Sequence, residues 1–592
     1  MKKRNIEKEL EKRTFKEMWK YFKKVMKIVY SIDKKSVILV ALFWGLSAFF
    51  APIHTFLLAK VINDVLISEF SMVVLIMFII MSLAWVLVGP LGDYYNIILR
   101  HKIKYQVDLM LQGKLDTLNI EDFQNKELYD NIERASNSNF EVPFVVTDFM
   151  TLLNKSIKML AYLGMIVLWR WWIFAIIFTV NVVVFIKKYK LLRLSYVKYW
   201  DLTTEQRKAN YYSFTMRKKE SMIELKSLNA FKYILEKYRR IRYKVFKTGM
   251  DVSKKELKNE IEVRIMDEIM GLIFLVYLII QALAKNILVG SLYAYNVSIK
   301  QISFLMKNVT EELAIINIRL LNAKELVDFL ELDTNYIDGA MELKKINTIE
   351  FKHVWFKYQN NKKYALRDVN LVIKDNDKIA LIGENGCGKT TLMKLLMKIH
   401  VSTKGKLLIN GIDIKEYNTE SLRNKITMLF QELTIYEDTV RENITLDKKK
   451  KGVDNVLASV PSKKFKEELK NMPKGIDTIL GTWFGDGNEI SKGQQQRLAL
   501  ARIFNRADSV LLLDEPNSAL DPKAEKELFE YITNNKQDKI CILTLHVFTN
   551  INQLDRIVMF EEGKIIAEGS HEELYKKSKE YKEYFDLQQI SK

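Results

Sequence analysis

Gly383-Glu384-Asn385-Gly386-Cys387-Gly388-Lys389-Thr390 is the stretch that decides the fold of the C-terminal half. The apolar run Ile379-Ala380-Leu381-Ile382 precedes it and Thr391 to Ile399 follow in a helical pattern. Strand, glycine turn and helix thus stand in the order of a phosphate-binding loop with the spacing G-x-x-x-x-G-K-[ST]. Glycines let the backbone N–H groups of residues 383 to 391 close around phosphate oxygens, and the helix N-terminus adds positive potential. Lys389 is placed to reach the outer phosphates, and Thr390, next to Thr391, offers a hydroxyl to a magnesium ion.

Downstream, Val510-Leu511-Leu512-Leu513 reads as a buried strand that ends in Asp514 and Glu515. Phosphoryl transfer needs one acid to hold Mg²⁺ and one to orient or polarise the attacking water, and these two residues suit those tasks. Upstream, Ile349, Phe351, Val354 and Phe356 mark a strand that opens the same α/β domain.

Before residue 325 the composition changes to long apolar stretches broken by basic loops. A bilayer core of about 30 Å takes about 20 apolar residues per helix. Residues 37–62, 72–95, 145–168, 171–187 and 264–284 satisfy this, and 290–325 forms a sixth, more amphipathic span. The segments at about 98–143 and 187–262 are long and rich in Lys and Arg, which places them and both termini on the cytoplasmic side. The formal charge of +20 is distributed over these membrane-flanking segments, so it indicates topology and not a nucleic-acid groove. Thirteen basic against five acidic residues in the first 35, with Phe15, Met18, Trp19, Phe22, Val25, Met26 and Val29 at helical spacing, predict a helix lying along the membrane surface. With Cys387 and Cys541 the only cysteines, no disulfide framework is expected, and the soluble half belongs in a reducing compartment.

Between the glycine loop and the acids lies Ile490-Ser491-Lys492-Gly493-Gln494-Gln495-Gln496-Arg497-Leu498-Ala499-Leu500-Ala501-Arg502. Here the chain resembles the ABC transporter family, whose L-S-G-G-Q signature falls at Ile490 to Gln494. The resemblance implies that Tyr358 stacks on adenine, that Gln431 is the Q-loop glutamine serving Mg²⁺ and water, that Ser518-Ala519-Leu520-Asp521 is the D-loop, and that His546 is the switch histidine. It further implies that Ser491, Gly493 and Gln494 meet the ATP held by a second subunit. The partner is then another copy or a paired half-transporter, with the lipid bilayer and a transported substrate completing the list and no nucleic acid. Glu121–Ala135 and Tyr211–Glu224 resemble the two coupling regions of exporters. The segment 481–488 carries Trp483 and Phe484 where exporters place charges, and Lys492 replaces the first glycine of the signature pair.

The expected architecture is therefore multidomain: a surface helix over 1–35, an all-α six-helix transmembrane domain over 36–325, a linker over 326–345 and an α/β P-loop ABC ATPase domain over 346–592. The implied function is ATP-driven export of a hydrophobic or amphipathic substrate, with small bacterial peptide exporters the nearest resemblance, multidrug or lipid export the alternative, and an ATP-gated regulator or channel of the same fold a further one. In the sixth span Asn296, Lys300, Ser303, Lys307 and Glu311 recur on one helical face. Lys300 lies about 15 Å from Gly290 at 1.5 Å per residue, near mid-bilayer, where a lysine must pair, snorkel or line a watery cavity. This face is expected to line the substrate pathway, unless Lys307 and Glu311, four apart, simply pair with each other.

Overall fold

The computed structural model describes residues 15–590 except 125, 333–337, 359–360, 447–451, 483–484, 486, 507, 535–538 and 546–549. The chain divides into two compact units, Met1–Leu118 with Phe123–Asp333, and Asn119–Asp122 with Thr334–Lys592.

The first unit is helical: α1 (Phe15–Ile67), α2 (Met72–Asp116), α3 (Lys126–Ser138), α4 (Val142–Asp201), α5 (Thr203–Arg217), α6 (Lys219–Ser227), α7 (Phe231–Leu283) and α8 (Val289–Leu330). Two of these rods are broken where the sequence demands it. Asp33 leaves helical geometry at φ −150°, and its carboxylate accepts from the Ser36 backbone N–H (3.0 Å) and hydroxyl (2.7 Å). It thereby caps the helix that enters the membrane. Lys102 pairs with the same carboxylate. Arg170 breaks α4 at φ −149° between Trp169, which stacks on Tyr295 at 4.2 Å, and Trp172, which meets Tyr277 at 5.3 Å. Aromatics of this kind belong at a membrane interface.

Large apolar side chains point outward all along α2 and α7, among them Ile76, Ile80, Leu83, Val86, Ile269, Ile273 and Ile280. A surface of this kind suits contact with a bilayer. Glu17–Ile67, Met72–Asp116 and Val142–Val184 are long and apolar enough to cross one. The helices read as the fifth and sixth spans are not in that set; Arg264, Asp267 and Glu268 stand at the start of the stretch 264–284 in α7, and α8 carries Lys300, Lys307, Glu311 and Glu312. Helix α8 also runs to Leu330, five residues into the stretch expected to be linker.

The second unit holds two sheets. Strands β1 (Thr348–Phe356), β2 (Leu366–Lys374), β4 (Lys404–Ile409) and β5 (Ile412–Asp413) form an antiparallel sheet in the order β2-β1-β4-β5. The apolar alternation of β1 skips from Phe351 to Val354 because a bulge lies there, with His353 at φ +47°. Strands β3 (Lys378–Ile382), β6 (Ile426–Leu429), β7 (Val510–Leu513), β8 (Ile540–Thr544), β9 (Arg556–Glu561) and β10 (Lys564–Gly569) make a six-stranded sheet in the order β10-β9-β3-β8-β7-β6, with only the β9–β10 pair antiparallel. Both β7 and β8 are buried at every residue, as expected of parallel strands covered on both faces. Ligands of such sheets gather at the C-terminal strand ends, where β3 delivers the glycine loop and β7 the two acids.

Candidate active site

The loop after β3 can close only because of its glycines. Gly383, Gly386 and Gly388 adopt φ of +135°, +80° and +115°. A Cβ on Gly383 would stand 2.1 Å from the Phe560 carbonyl. The next helix, α9 (Lys389–Leu396), starts directly on this loop. Lys389 is buried, and its Nζ donates to the carbonyls of Gly383 (2.6 Å) and Glu384 (2.9 Å), 3.6 Å from Cys387 Sγ. The ammonium is therefore held inside the loop, where phosphate charge would be met. Tyr358 hydroxyl lies 3.1 Å from Thr391 Oγ1, which ties the aromatic expected to stack on adenine to the same helix.

The acids converge on this helix. Thr390 Oγ1 donates to Asp514 Oδ1 at 3.1 Å, and Asp514 is 2 % exposed. Thr544, at the end of β8, donates through Oγ1 to the same Asp514 oxygen (2.8 Å) and accepts the Glu515 backbone N–H (2.8 Å). Glu515 sits at φ +50°, a left-handed conformation that costs a non-glycine residue roughly 1–2 kcal/mol. Gln431 Nε2 lies 3.1 Å from both Glu515 carboxylate oxygens. A hydroxyl, two acids and an amide thus meet beside the phosphate loop as the chemistry requires: hard oxygen donors for a magnesium ion at Thr390 and Asp514, and a carboxylate oriented by an amide at Glu515. No group of three or more His, Cys, Asp or Glu side chains able to hold a metal occurs among the described residues. A magnesium site built from one hydroxyl, one carboxylate, one amide and phosphate oxygens needs no such group.

The signature residues lie on another element. Helix α10 (Lys492–Arg506) begins at exposed Ser491 and Lys492. Ser491 Oγ accepts the Gln494 backbone N–H (3.3 Å), and Gln494 Oε1 accepts the Ser491 N–H (2.9 Å), a reciprocal cap. Among the described residues no bond joins Ser491 or Gly493 to the phosphate loop of this chain. A Cβ on Gly493 would stand 2.9 Å from the Ala519 carbonyl. Arg497 Nη2 reaches Asp521 at 3.9 Å, and the Ala524 backbone N–H, together with that guanidinium, holds the Asp521 carboxyl below its ordinary value. His546 lies outside the described residues, as do Trp483 and Phe484.

Three residues that the sequence did not flag complete the site. Thr544 bridges the two acids. Gln496 donates to the Pro516 carbonyl at 2.9 Å, fastening α10 to the turn that carries Glu515. Arg502 donates to the carbonyls of Thr434 (2.9 Å) and Asn443 (2.6 Å), tying α10 to the segment after Gln431.

The membrane unit places the expected polar face of α8 as follows. Asn296 is half-buried and Lys300 exposed; the Lys300 side chain lies over Gly271 of α7, where a Cβ would be 3.9 Å from its Cε. Ser303 is buried, with Oγ lacking a partner among the described residues. Lys307 is 4.0 Å from Glu260 of α7, so its i,i+4 neighbour is not its only acid. Glu312, on another face of α8, pairs with Lys155 of α4 at 2.6 Å.

Comparison with known proteins agrees with this geometry. The ABC transporter family pattern matches residues 366–518. The subtilin transport ATP-binding protein of Bacillus subtilis is 28% identical over 575 residues, 95% of this chain and 93% of that one. The nisin transport ATP-binding protein of Lactococcus lactis subsp. lactis is 25% identical over 95% of each. A solved bacterial Atm1-family ABC exporter with ATP bound superposes with a TM-score of 0.75 at 19% identity, covering 93% of this chain and 97% of that one. Residues 366–518 are thus an ABC transporter domain, joined to a helical membrane region in the fold of an ABC exporter, and the chain couples ATP hydrolysis to transport.

Proposed function

We propose that the chain exports an amphipathic peptide across the plasma membrane of a bacterium, as a dimer of two copies. The observation that carries the ATP-driven part is the convergence of Thr390, Asp514, Thr544, Glu515 and Gln431 beside the glycine loop. Lys389 and the loop N–H groups bind the phosphates of ATP. Thr390, Asp514 and Gln431 would hold Mg²⁺, which neutralises developing phosphate charge. Glu515 takes the proton of the attacking water, and His546 senses the outer phosphate. Support for a dimer comes from the separation, within one chain, of Ser491 and Gly493 from the phosphate loop: a second copy supplies them.

The peptide substrate is favoured because two relatives that match along nearly the whole chain, membrane half included, are named for subtilin and nisin transport. A putative multidrug export protein of Bacillus subtilis, 34% identical, matches over only 41% of each chain. Six spans follow from the apolar stretches, and the cytoplasmic side of both termini from the distribution of basic residues. The face of Asn296, Lys300, Ser303 and Lys307 lines the pathway. Lys300, a cation with no acidic partner among the described residues, favours a substrate with an anionic group such as a C-terminal carboxylate.

The test is uptake of a fluorescent amphipathic peptide into inverted membrane vesicles. ATP-dependent accumulation that disappears in Glu515→Gln, and weakens for the C-terminally amidated peptide, is the expected result. Accumulation without ATP, or none with any peptide, would overturn the reading.

A further inference from the structure

Helix α1 before Asp33 has two unlike faces. One is tied down: Phe22, Val25 and Val29 are buried, the Tyr21 hydroxyl donates to Asp328 Oδ1 at 2.9 Å, and Lys24 pairs with Glu331. The acids on this side are therefore already engaged, Asp328 also by Lys324 at 3.0 Å and Asp33 by Lys102. At 100° per residue, Trp19, Tyr30, Lys23, Lys27 and Lys20 fall within an arc of about 100° on the opposite side. All five are exposed, Trp19 by 43% and Tyr30 by 45%.

Lys23 and Lys34 each lie one turn after an aromatic, with Nζ 5.9 Å from the Trp19 ring centre and 5.5 Å from that of Tyr30. Lys20, Lys23, Lys27, Lys34 and Lys35 have no acidic partner among the described residues. The outward face thus presents amphipathic rings with ammonium groups above them, on a helix that continues, past the capped break at Asp33, into the bilayer.

We propose that this face is a binding surface for anionic phospholipids, at the leaflet where α1 enters the membrane. Trp19 and Tyr30 settle at headgroup level, where amphipathic rings are favoured. Lys20, Lys23 and Lys27 meet lipid phosphates, each lysine adding about 1 kcal/mol, or about fivefold, to the preference for an anionic surface. A zwitterionic surface offers the rings the same depth but not the net charge. The buried face keeps the helix from rolling, so the lysines point outward whatever the lipid.

The experiment uses the full chain reconstituted with brominated lipid in both leaflets, which makes it independent of orientation. The fluorescence of Trp19 is read as the difference between the intact protein and Trp19→Phe. The expected result is quenching about threefold or more stronger with brominated phosphatidylglycerol, mixed into phosphatidylcholine, than with brominated phosphatidylcholine at the same fraction. The preference disappears when Lys20, Lys23 and Lys27 are all Gln and survives when all three are Arg. Equal quenching by both lipids in the intact protein would overturn the proposal, since it marks an apolar anchor without charge selection. Quenching by neither would also overturn it and point to a protein or a second copy on this face.

Discussion

Thr544→Val removes a hydroxyl and keeps the shape of the side chain, so it isolates what that hydroxyl does. Two bonds are lost: Oγ1 to Asp514 Oδ1 (2.8 Å) and the Glu515 N–H to Oγ1 (2.8 Å). Thr544 is fully buried, so no water replaces the missing acceptor for the Glu515 N–H. Leaving a buried donor unsatisfied costs about 1–3 kcal/mol, and the N–H in question fixes a residue held at φ +50°. If that cost falls on the orientation of Glu515 in the transition state, kcat falls about ten- to a hundredfold. ATP affinity changes by less than about threefold, because Lys389 and the glycine loop are untouched. Steady-state hydrolysis by the purified, reconstituted protein and equilibrium binding of a fluorescent ATP analogue give the two numbers. Thr544→Ser retains both bonds and stays near the parent rate. Unimpaired hydrolysis by Thr544→Val, or equal impairment of the Ser variant, would refute the reasoning.

Other outcomes follow from single contacts. Asp338 accepts from the Thr419 N–H and hydroxyl, from Asn418 and from Lys398, whose ammonium is buried. Burial alone would raise its carboxyl, but the bonds from Thr419 and Lys398 overcome this and hold it at about 2. Its contribution is therefore complete above the unfolded value near 4 and is lost as pH falls through 2. Asp338→Asn should cost about 2 kcal/mol and lower Tm by about 4–8 °C at pH 7, a gap that narrows below about pH 4 in melts followed by intrinsic fluorescence. Burial pushes the Cys541 thiol up to about 12, which leaves it inert, so maleimide inhibition of hydrolysis should map to Cys387 alone; ATP should protect, and Cys387→Ser should resist. The Gly290 N–H donates to Asn63 Oδ1 at 2.8 Å, and a Cβ on Gly290 would stand 2.0 Å from the Ala59 carbonyl. Gly290→Val should force α1 and α8 apart, costing about 1–3 kcal/mol in detergent-solubilised melts, more than Asn63→Ala at about 1 kcal/mol.

Residues whose role depends on sequence neighbours were legible beforehand. The glycine loop announces itself because its spacing, the strand before it and the helix after it are all local, and Asp514 and Glu515 because they end an apolar run. Thr544 has no such signature. It becomes a bridge only because β8 lies parallel to β7 with Leu543 opposite Leu513, a pairing that no local pattern encodes. Similarly, the spacing of α8 offered Glu311 to Lys307, whereas the fold also brings Glu260 up from α7. The break in α4 at Arg170 falls between the apolar stretches 145–168 and 171–187, so its place was legible as a gap between two spans. Asp33 capping the entry of α1 into the membrane was visible only as a boundary, since an N-cap requires knowing where the helix restarts.

The central claim is that Glu515, held by Gln431 and Thr544 beside the glycine loop, is the base of an ATP hydrolysis that drives transport. The most direct measurement is a comparison of Glu515→Gln with the parent chain, both reconstituted with MgATP, reading phosphate release and retained nucleotide together. The account predicts that release falls by about 10²-fold or more while ATP stays bound after removal of free nucleotide. Phosphate release at the parent rate, or loss of ATP binding along with release, would contradict it.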